Sequence, residues 1–119
     1  MTGLQLEPGK RVSFNAPFLA KQKTAIRLTN KENWPIMYRI SLTSPKRYNI
    51  DKMNGTLAVE ASTLVVIYLN ALKFREGMRD VITIEYCRIP QDYSLKFDEK
   101  FLSESDVVLR RTLPVHFNL

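Results

Sequence analysis

The feature that most constrains the fold is an alternation of apolar and polar residues with a period of two. Within residues 36–42 every second position is apolar, and these positions are Ile36, Tyr38, Ile40 and Leu42. Successive side chains of a β-strand point to opposite sides, so this pattern predicts a strand with one buried face. A helix would instead repeat its apolar residues every three to four positions.

The same period recurs along the chain and predicts seven short strands separated by turn signals. Their expected ranges are 12–14, 25–29, 36–42, 48–51, 64–69, 81–86 and 113–117. Strands that each bury one face must cover one another, which predicts an all-β fold, a seven-stranded antiparallel β-sandwich. Residues 98–103 are the one expected helix, and Asn54 with Gly55 is expected to form a turn. We expect one domain over residues 1–119.

Composition excludes several classes of function. Cys87 is the single cysteine, so no disulfide can form within the chain. His116 is the single histidine, which leaves no histidine-based metal cluster, and we expect it to be exposed on the last strand. The 4 glycines form no phosphate-binding loop. We therefore expect no enzymatic activity, no cofactor and no metal.

The net charge of +6 favours acidic partners over basic ones. The cations are scattered in pairs, and the aromatic residues are expected to face the core, which argues against a nucleic-acid partner. Those aromatic residues are Phe14, Tyr38, Tyr68 and Tyr86. No apolar run reaches the ~20 residues of a transmembrane anchor, and the first residues lack a secretory pattern. The expected localisation is cytoplasmic.

Several stretches, in order along the chain, carry a family resemblance. They read V-S-F-N-A-P-F at 12–18, T-S-P-K-R-Y at 43–48, N-G-T-L at 54–57, D-V-I-T-I-E-Y at 80–86 and L-R-R-T-L-P-V-H-F-N at 109–118. The chain resembles the major sperm protein (MSP) domain family, and most closely its free-standing nematode sperm-type members. The resemblance implies an immunoglobulin-like sandwich of the MSP/PapD type.

The resemblance leaves two functions open. In the first, the chain self-associates as a homodimer or larger assembly, or binds other MSP-family proteins, as a structural component of the sperm cytoskeleton. In the second, it is an adaptor like the membrane-anchored VAP branch of the family, and captures acidic peptide segments at a basic sheet edge. The residues that match this edge are Arg39, Thr43, Lys46 and Arg47.

Two aromatic features complete the candidate surfaces. Trp34, in a polar turn before Pro35, is either an exposed interface anchor or a cap on the core. Phe97 and Phe101 recur at helical spacing beside Leu102, which favours a helix tethered to the sandwich over a docking face.

Overall fold

The alternating pattern is realised in nine strands and one short helix within residues 3–119, the part of the chain that this computed structural model describes. The strands are β1 Leu4–Glu7, β2 Val12–Asn15, β3 Gln22–Asn30, β4 Ile36–Leu42, β5 Tyr48–Ile50, β6 Asn54–Leu57, β7 Ser62–Leu69, β8 Asp80–Arg88 and β9 Leu109–Asn118. The helix, α1, spans Glu99–Glu104. The predicted one-domain range 1–119 also includes Met1 and Thr2, which lie outside the described residues.

Two sheets pack face to face, which confirms the predicted immunoglobulin-like β-sandwich. The four-stranded sheet has the order β1-β3-β7-β5, and the five-stranded sheet has the order β2-β9-β8-β4-β6. One pairing is not antiparallel, because β2 runs parallel to β9 with Val12 opposite Val115. The prediction of seven strands, all antiparallel, was therefore wrong in its count and in this pairing.

The two additional strands are short and carry weak patterns. At the N-terminus β1 pairs in one sheet and β2 in the other, and the chain crosses between the sheets at Pro8 and Gly9. Asn54 and Gly55, expected as a turn, instead begin β6 on the edge of the five-stranded sheet. Gly55 is needed there for close approach, since a Cβ on it would lie 3.1 Å from the hydroxyl oxygen of Tyr38.

The main core lies between the sheets and is formed by the inward positions of every strand. Ile26, Ile36, Val65 and Ile84 are among its fully buried members. A buried leucine or isoleucine contributes about 1.5–3 kcal/mol to folding through the hydrophobic effect. With no disulfide available, this core is the main source of stability.

A second, smaller core fixes α1 on the outer face of the five-stranded sheet. Its buried members are Met37, Cys87, Ile89 and Leu102, and partly buried aromatic residues of the 93–101 segment pack against them. The side chain of Asp98 caps the helix by accepting a hydrogen bond of 3.1 Å from the backbone N–H of Phe101. The predicted tether between the helix and the sandwich is confirmed.

The orientation of the aromatic residues follows the strand alternation, with one exception to the prediction. Phe14, Tyr38 and Tyr86 are buried as expected. Tyr68 is not, because it alternates with the buried Leu69 and so points outward, where the ammonium of Lys21 lies 5.1 Å from its ring centroid.

Candidate protein-binding surfaces

A buried carboxylate organises the turn that carries Thr43 and Arg47. Asp80, at the start of β8, is 1% exposed. Arg47 places its Nη1 at 3.0 Å from both carboxylate oxygens, and the hydroxyl of Tyr48 donates a hydrogen bond of 2.6 Å. The hydroxyl of Thr43 lies 3.4 Å from Asp80 and accepts a hydrogen bond of 3.0 Å from the N–H of Val81.

These contacts decide the ionisation of the cluster. Burial alone would raise the pKa of Asp80, but the hydrogen bonds from Tyr48 and Arg47 outweigh it, and the pKa lies below its usual value. Burial and the hydrogen bond to Asp80 both raise the pKa of Tyr48. Asp80 is therefore ionised and Tyr48 neutral at neutral pH. The side chains of Thr43 and Arg47 therefore bind within the protein and join the end of β4 to the start of β8.

Arg39 belongs to a second ionic cluster, which joins β4, β8 and α1. Its Nε donates a hydrogen bond of 3.0 Å to Glu85, and its Nη1 contacts Glu99 and lies 3.0 Å from the hydroxyl of Ser103. Arg110, on β9, donates a hydrogen bond of 2.9 Å to the other oxygen of Glu85. The hydrogen bonds from Arg110 and Arg39 keep the pKa of Glu85 below its usual value.

Lys46 is the member of the predicted basic edge that stays free. Its side chain is exposed in the 3₁₀ turn Pro45–Arg47, and no ion pair within residues 3–119 involves it. The backbone of this turn is held in place, because the side chain of Asn70 donates a hydrogen bond of 3.2 Å to the carbonyl of Lys46.

Trp34 lies at the opposite end of the sandwich. Its ring is partly buried against the main core, and the guanidinium of Arg88 lies 4.9 Å from the ring centroid. The ring also lines a groove of about 610 Å³ between β8, β9 and the segment after α1. One side of the ring therefore meets the core and another lines the groove, and the role of Trp34 as an interface anchor stays a prediction.

The five predicted binding residues do not form one continuous surface. Thr43, Lys46 and Arg47 share one turn, and Arg39 lies four residues before Thr43, about 13 Å along an extended chain. Trp34 precedes β4 and Thr43 follows it, so the length of the strand, roughly 23 Å for seven residues, separates them.

Sequence reasoning did not single out Asp80 and Glu85, the carboxylates that engage these arginines. A signal was present for Asp80. It opens β8 in phase with the inward residues Ile82 and Ile84, so the alternation itself places a carboxylate on the buried face. Such a carboxylate requires a cationic or hydrogen-bonding partner. Glu85 gives no such signal, because it occupies an outward position.

The outward surface of the five-stranded sheet contains a group of uncharged side chains, bordered on one side by Arg11 and Arg79, which line a cavity with Val81 and Pro114. One row across β4, β8 and β9 pairs Ser41 with Thr83 and Thr83 with Thr112. The next row pairs Val81 with Pro114. We refer to these five residues as the uncharged face. The row on its other side carries Arg39, Glu85 and Arg110, and both arginines bind Glu85.

Two further classes of site are absent from the described residues. Between residues 3 and 119, no three His, Cys, Asp or Glu side chains are grouped so that they could hold a metal ion. No helix in that range is long and apolar enough to cross a membrane.

The family assignment is decided by comparison with known domains. The model of the MSP (Major sperm protein) domain matches residues 3–105, which is most of the chain. The chain belongs to the MSP domain family. The membership supports a structural or protein-interaction role.

Nematode relatives match the MSP chain over nearly its whole length. Major sperm protein 3 of Globodera rostochiensis is 30% identical over 114 residues, covering 94% of this chain and 90% of the relative. Major sperm protein 55/57 of Caenorhabditis elegans is 28% identical over 117 residues, covering 97% of this chain and 92% of the relative.

Solved structures agree on the fold. SSP-19, an MSP-domain protein like family member of Caenorhabditis elegans, superimposes with a TM-score of 0.75 at 18% identity, covering all of both chains. WR4, a C. elegans MSP family member, gives a TM-score of 0.70 at 13% identity, covering 97% of this chain and 99% of WR4. The YadV chaperone gives 0.64 at 13% identity, covering 97% of this chain and 51% of the chaperone. At these identities the likeness concerns the fold alone.

Proposed function

We propose that this MSP-domain chain is a non-enzymatic structural protein of the sperm cytoskeleton, which assembles in the cytoplasm with copies of itself or with other MSP-family proteins. Support comes from the relatives named major sperm proteins, which align with 94–97% of this chain. The fold agrees with this role, because its exposed sheet surfaces suit contact with another protein.

The observation that carries self-assembly is the uncharged face. Each copy has a net charge of +6, so two copies repel one another, and a stable contact requires surfaces with little charge. The uncharged face meets this requirement, since Ser41, Thr83 and Thr112 form a continuous row of short side chains across three strands. Short side chains also lose little conformational entropy when a partner covers them.

Sedimentation over a wide concentration range tests the proposal, at low salt and at about 0.15 M salt. We expect a dimer or larger species, and we expect salt to favour it because salt screens the repulsion between like-charged copies. A monomer at every concentration and salt level would exclude self-assembly.

A pair of matched variants tests the position of the contact. Ser41→Arg adds a charge to the uncharged face, and Ser62→Arg adds the same charge at an exposed outward position of β7, on the other sheet. Ser41→Arg is expected to weaken association at least tenfold, and Ser62→Arg is expected to leave it unchanged. Equal effects of the two substitutions would rule out the uncharged face as the interface.

We infer a second candidate function, the capture of an acidic segment near Arg39 and Lys46. Lys46 is exposed and free, and the contact of Arg39 with Glu99 involves a carboxylate side chain that is 61% exposed. An incoming carboxylate could replace Glu99 at little cost, because exposed ion pairs contribute at most about 1 kcal/mol. Arg47 is less available, since it neutralises the buried Asp80.

An acidic peptide titrated by fluorescence anisotropy distinguishes the two functions. Salt should weaken this binding, whereas it should strengthen self-assembly. Lys46→Glu is expected to weaken peptide binding about tenfold, while the matched reversal Lys10→Glu, at an exposed position just before β2 and away from β4, leaves it unchanged. Binding that is indifferent to both substitutions would exclude this surface. Arg47→Glu is not a suitable test, because it would set a second carboxylate beside Asp80.

A further inference from the structure

Three loops meet at one end of the sandwich and are fixed to one another. The N–H of Asn70 donates a hydrogen bond of 2.8 Å to the carbonyl of Arg47, and the N–H of Leu72 donates one of 2.9 Å to the carbonyl of Phe18. The rings of Phe18, Phe74 and Phe117 lie with their centroids 5.6 Å apart in each pair. We call this surface, formed by residues 16–23, 43–47 and 70–80, the basic end.

Most of the net charge of the protein lies at the basic end. Its seven cations are Lys21, Lys23, Lys46, Arg47, Lys73, Arg75 and Arg79. Its two carboxylates are Glu76 and the buried Asp80, so the side chains of this end carry +5 of the total +6. Arg47 is paired with Asp80, and the other six cations are exposed. The rest of the molecule is therefore close to neutral.

An exposed apolar side chain projects from the 16–23 loop of the basic end. Leu19 is 82% exposed, although its neighbour Phe18 is 5% exposed and is part of the core. Phe18 takes the inward position of this loop, where its ring packs against Phe74 and Phe117. The side chain of Gln22 further fixes the loop, with hydrogen bonds of 2.6 Å and 3.2 Å to the carbonyls of Asn15 and Pro17.

We propose that the basic end docks on an anionic lipid bilayer. The basic end matches the layers of a bilayer surface. Leu19 would enter the boundary between headgroups and acyl chains, while the cations meet the phosphate and carboxylate groups of the lipids. The hydrogen bond between Leu72 and Phe18 brings Lys73 close to Leu19, so charge and apolar tip lie together. A protein partner would need a cavity shaped to receive Leu19, whereas a bilayer needs none. This docking does not depend on the proposed self-assembly.

Co-sedimentation with vesicles tests the proposal. We expect binding to vesicles of phosphatidylcholine mixed with phosphatidylserine, little binding to phosphatidylcholine alone, and weaker binding as salt increases. Each cation near an anionic membrane strengthens binding about fivefold. The double variant Lys73→Glu with Arg75→Glu should therefore weaken vesicle binding ~25-fold or more. Leu19→Ser should weaken it about tenfold. All three side chains are exposed, and thermal melts establish that the variants stay folded.

The matched control is Lys96→Glu with Lys100→Glu, which changes the net charge equally at two exposed positions, one before α1 and one within it. It should leave vesicle binding within about twofold of wild type, because these charges lie away from the docked end. Equal losses from the two double reversals would overturn the proposal, since binding would then report only total charge. Absence of binding to the phosphatidylserine vesicles at low salt would also overturn it. If soluble polyglutamate displaces wild type and Leu19→Ser from the vesicles equally well, the partner would be an acidic protein surface instead.

Discussion

Removing the carboxylate of Asp80 is expected to destabilise the fold by about 3 kcal/mol. Loss of one partner of a buried ion pair costs about 3–5 kcal/mol, because the remaining groups lose their compensation. The lower end applies here, since the side chain of Arg47 is 35% exposed and can regain water. The hydroxyl of Tyr48 cannot, because Tyr48 is 4% exposed and its donor would stay buried without an acceptor.

Two milder substitutions divide this effect between charge and hydrogen bonding. Asp80→Asn retains an acceptor for Tyr48 but no longer neutralises Arg47, so we expect a loss of about 1–2 kcal/mol. Tyr48→Phe removes a hydrogen bond of 2.6 Å to a charged group, which is expected to cost about 2 kcal/mol. Because the two side chains are in contact, the effects of Tyr48→Phe and Asp80→Ala should not add, and their coupling should be about 1–2 kcal/mol.

Urea unfolding followed by the fluorescence of Trp34, the single tryptophan, measures these free energies. The same experiment at lower pH tests the ionisation. The pKa of Asp80 is lowered in the folded protein, so its stabilisation is present above its unfolded-state pKa of about 3.9. That stabilisation is lost as the pH falls through the lower folded-state value. Asp80→Asn should lack this part of the acid dependence.

Three results would refute this reasoning. One is a loss below about 1 kcal/mol for Asp80→Ala, which would mean that desolvation cancels the ion pair. Another is strict additivity between Tyr48→Phe and Asp80→Ala. The third is an acid dependence of Asp80→Asn equal to that of wild type.

Three further predictions concern other parts of the sandwich. Asn30→Ala should cost about 3 kcal/mol in urea unfolding, because the two N–H groups of the buried amide serve three carbonyl oxygens, which lie 2.9 Å, 3.1 Å and 3.2 Å from Nδ2. A loss under 1 kcal/mol would contradict this prediction. Leu102→Ala should loosen α1 and expose Cys87, whose thiol pKa is raised mainly by burial. The reaction of Cys87 with a thiol reagent should then become about tenfold faster or more, and an unchanged rate would contradict this prediction. Arg39→Ala should cost only about 1 kcal/mol, because its ion pairs are partly exposed, and its urea midpoint should become less sensitive to salt than that of wild type.

The family resemblance and the strand pattern agree because both depend on the same residues. The stretch at 109–118 carries family likeness and also alternates, and its inward members Leu113, Val115 and Phe117 are all buried. The spacing of Phe97, Phe101 and Leu102 likewise predicted that the helix expected at 98–103 is tethered to the sandwich, since apolar residues at helical spacing need a surface to cover.

The candidate site was less accessible to sequence reasoning. Arg39, Thr43, Lys46 and Arg47 were grouped by resemblance to a basic edge, but three of the four side chains bind groups within the protein. A sequence lists cations without their partners. It therefore cannot distinguish the exposed Lys46 from the arginine that neutralises a buried carboxylate.

The sequence alone determined most of the residues that face the core, because the alternation of side chains along a strand is a local property. It failed for Tyr68, which lies in the unbroken apolar run 64–69, where no polar residue marks the outward positions. It could not determine the pairing of strands or of charges. Arg47 meets Asp80 across 33 positions of sequence, and Arg39 meets Glu85 across 46. Such contacts depend on the register between distant strands, and register is fixed only when the two sheets close over one core. The concentration of charge at the basic end has the same origin, since only the folded chain brings its three loops together.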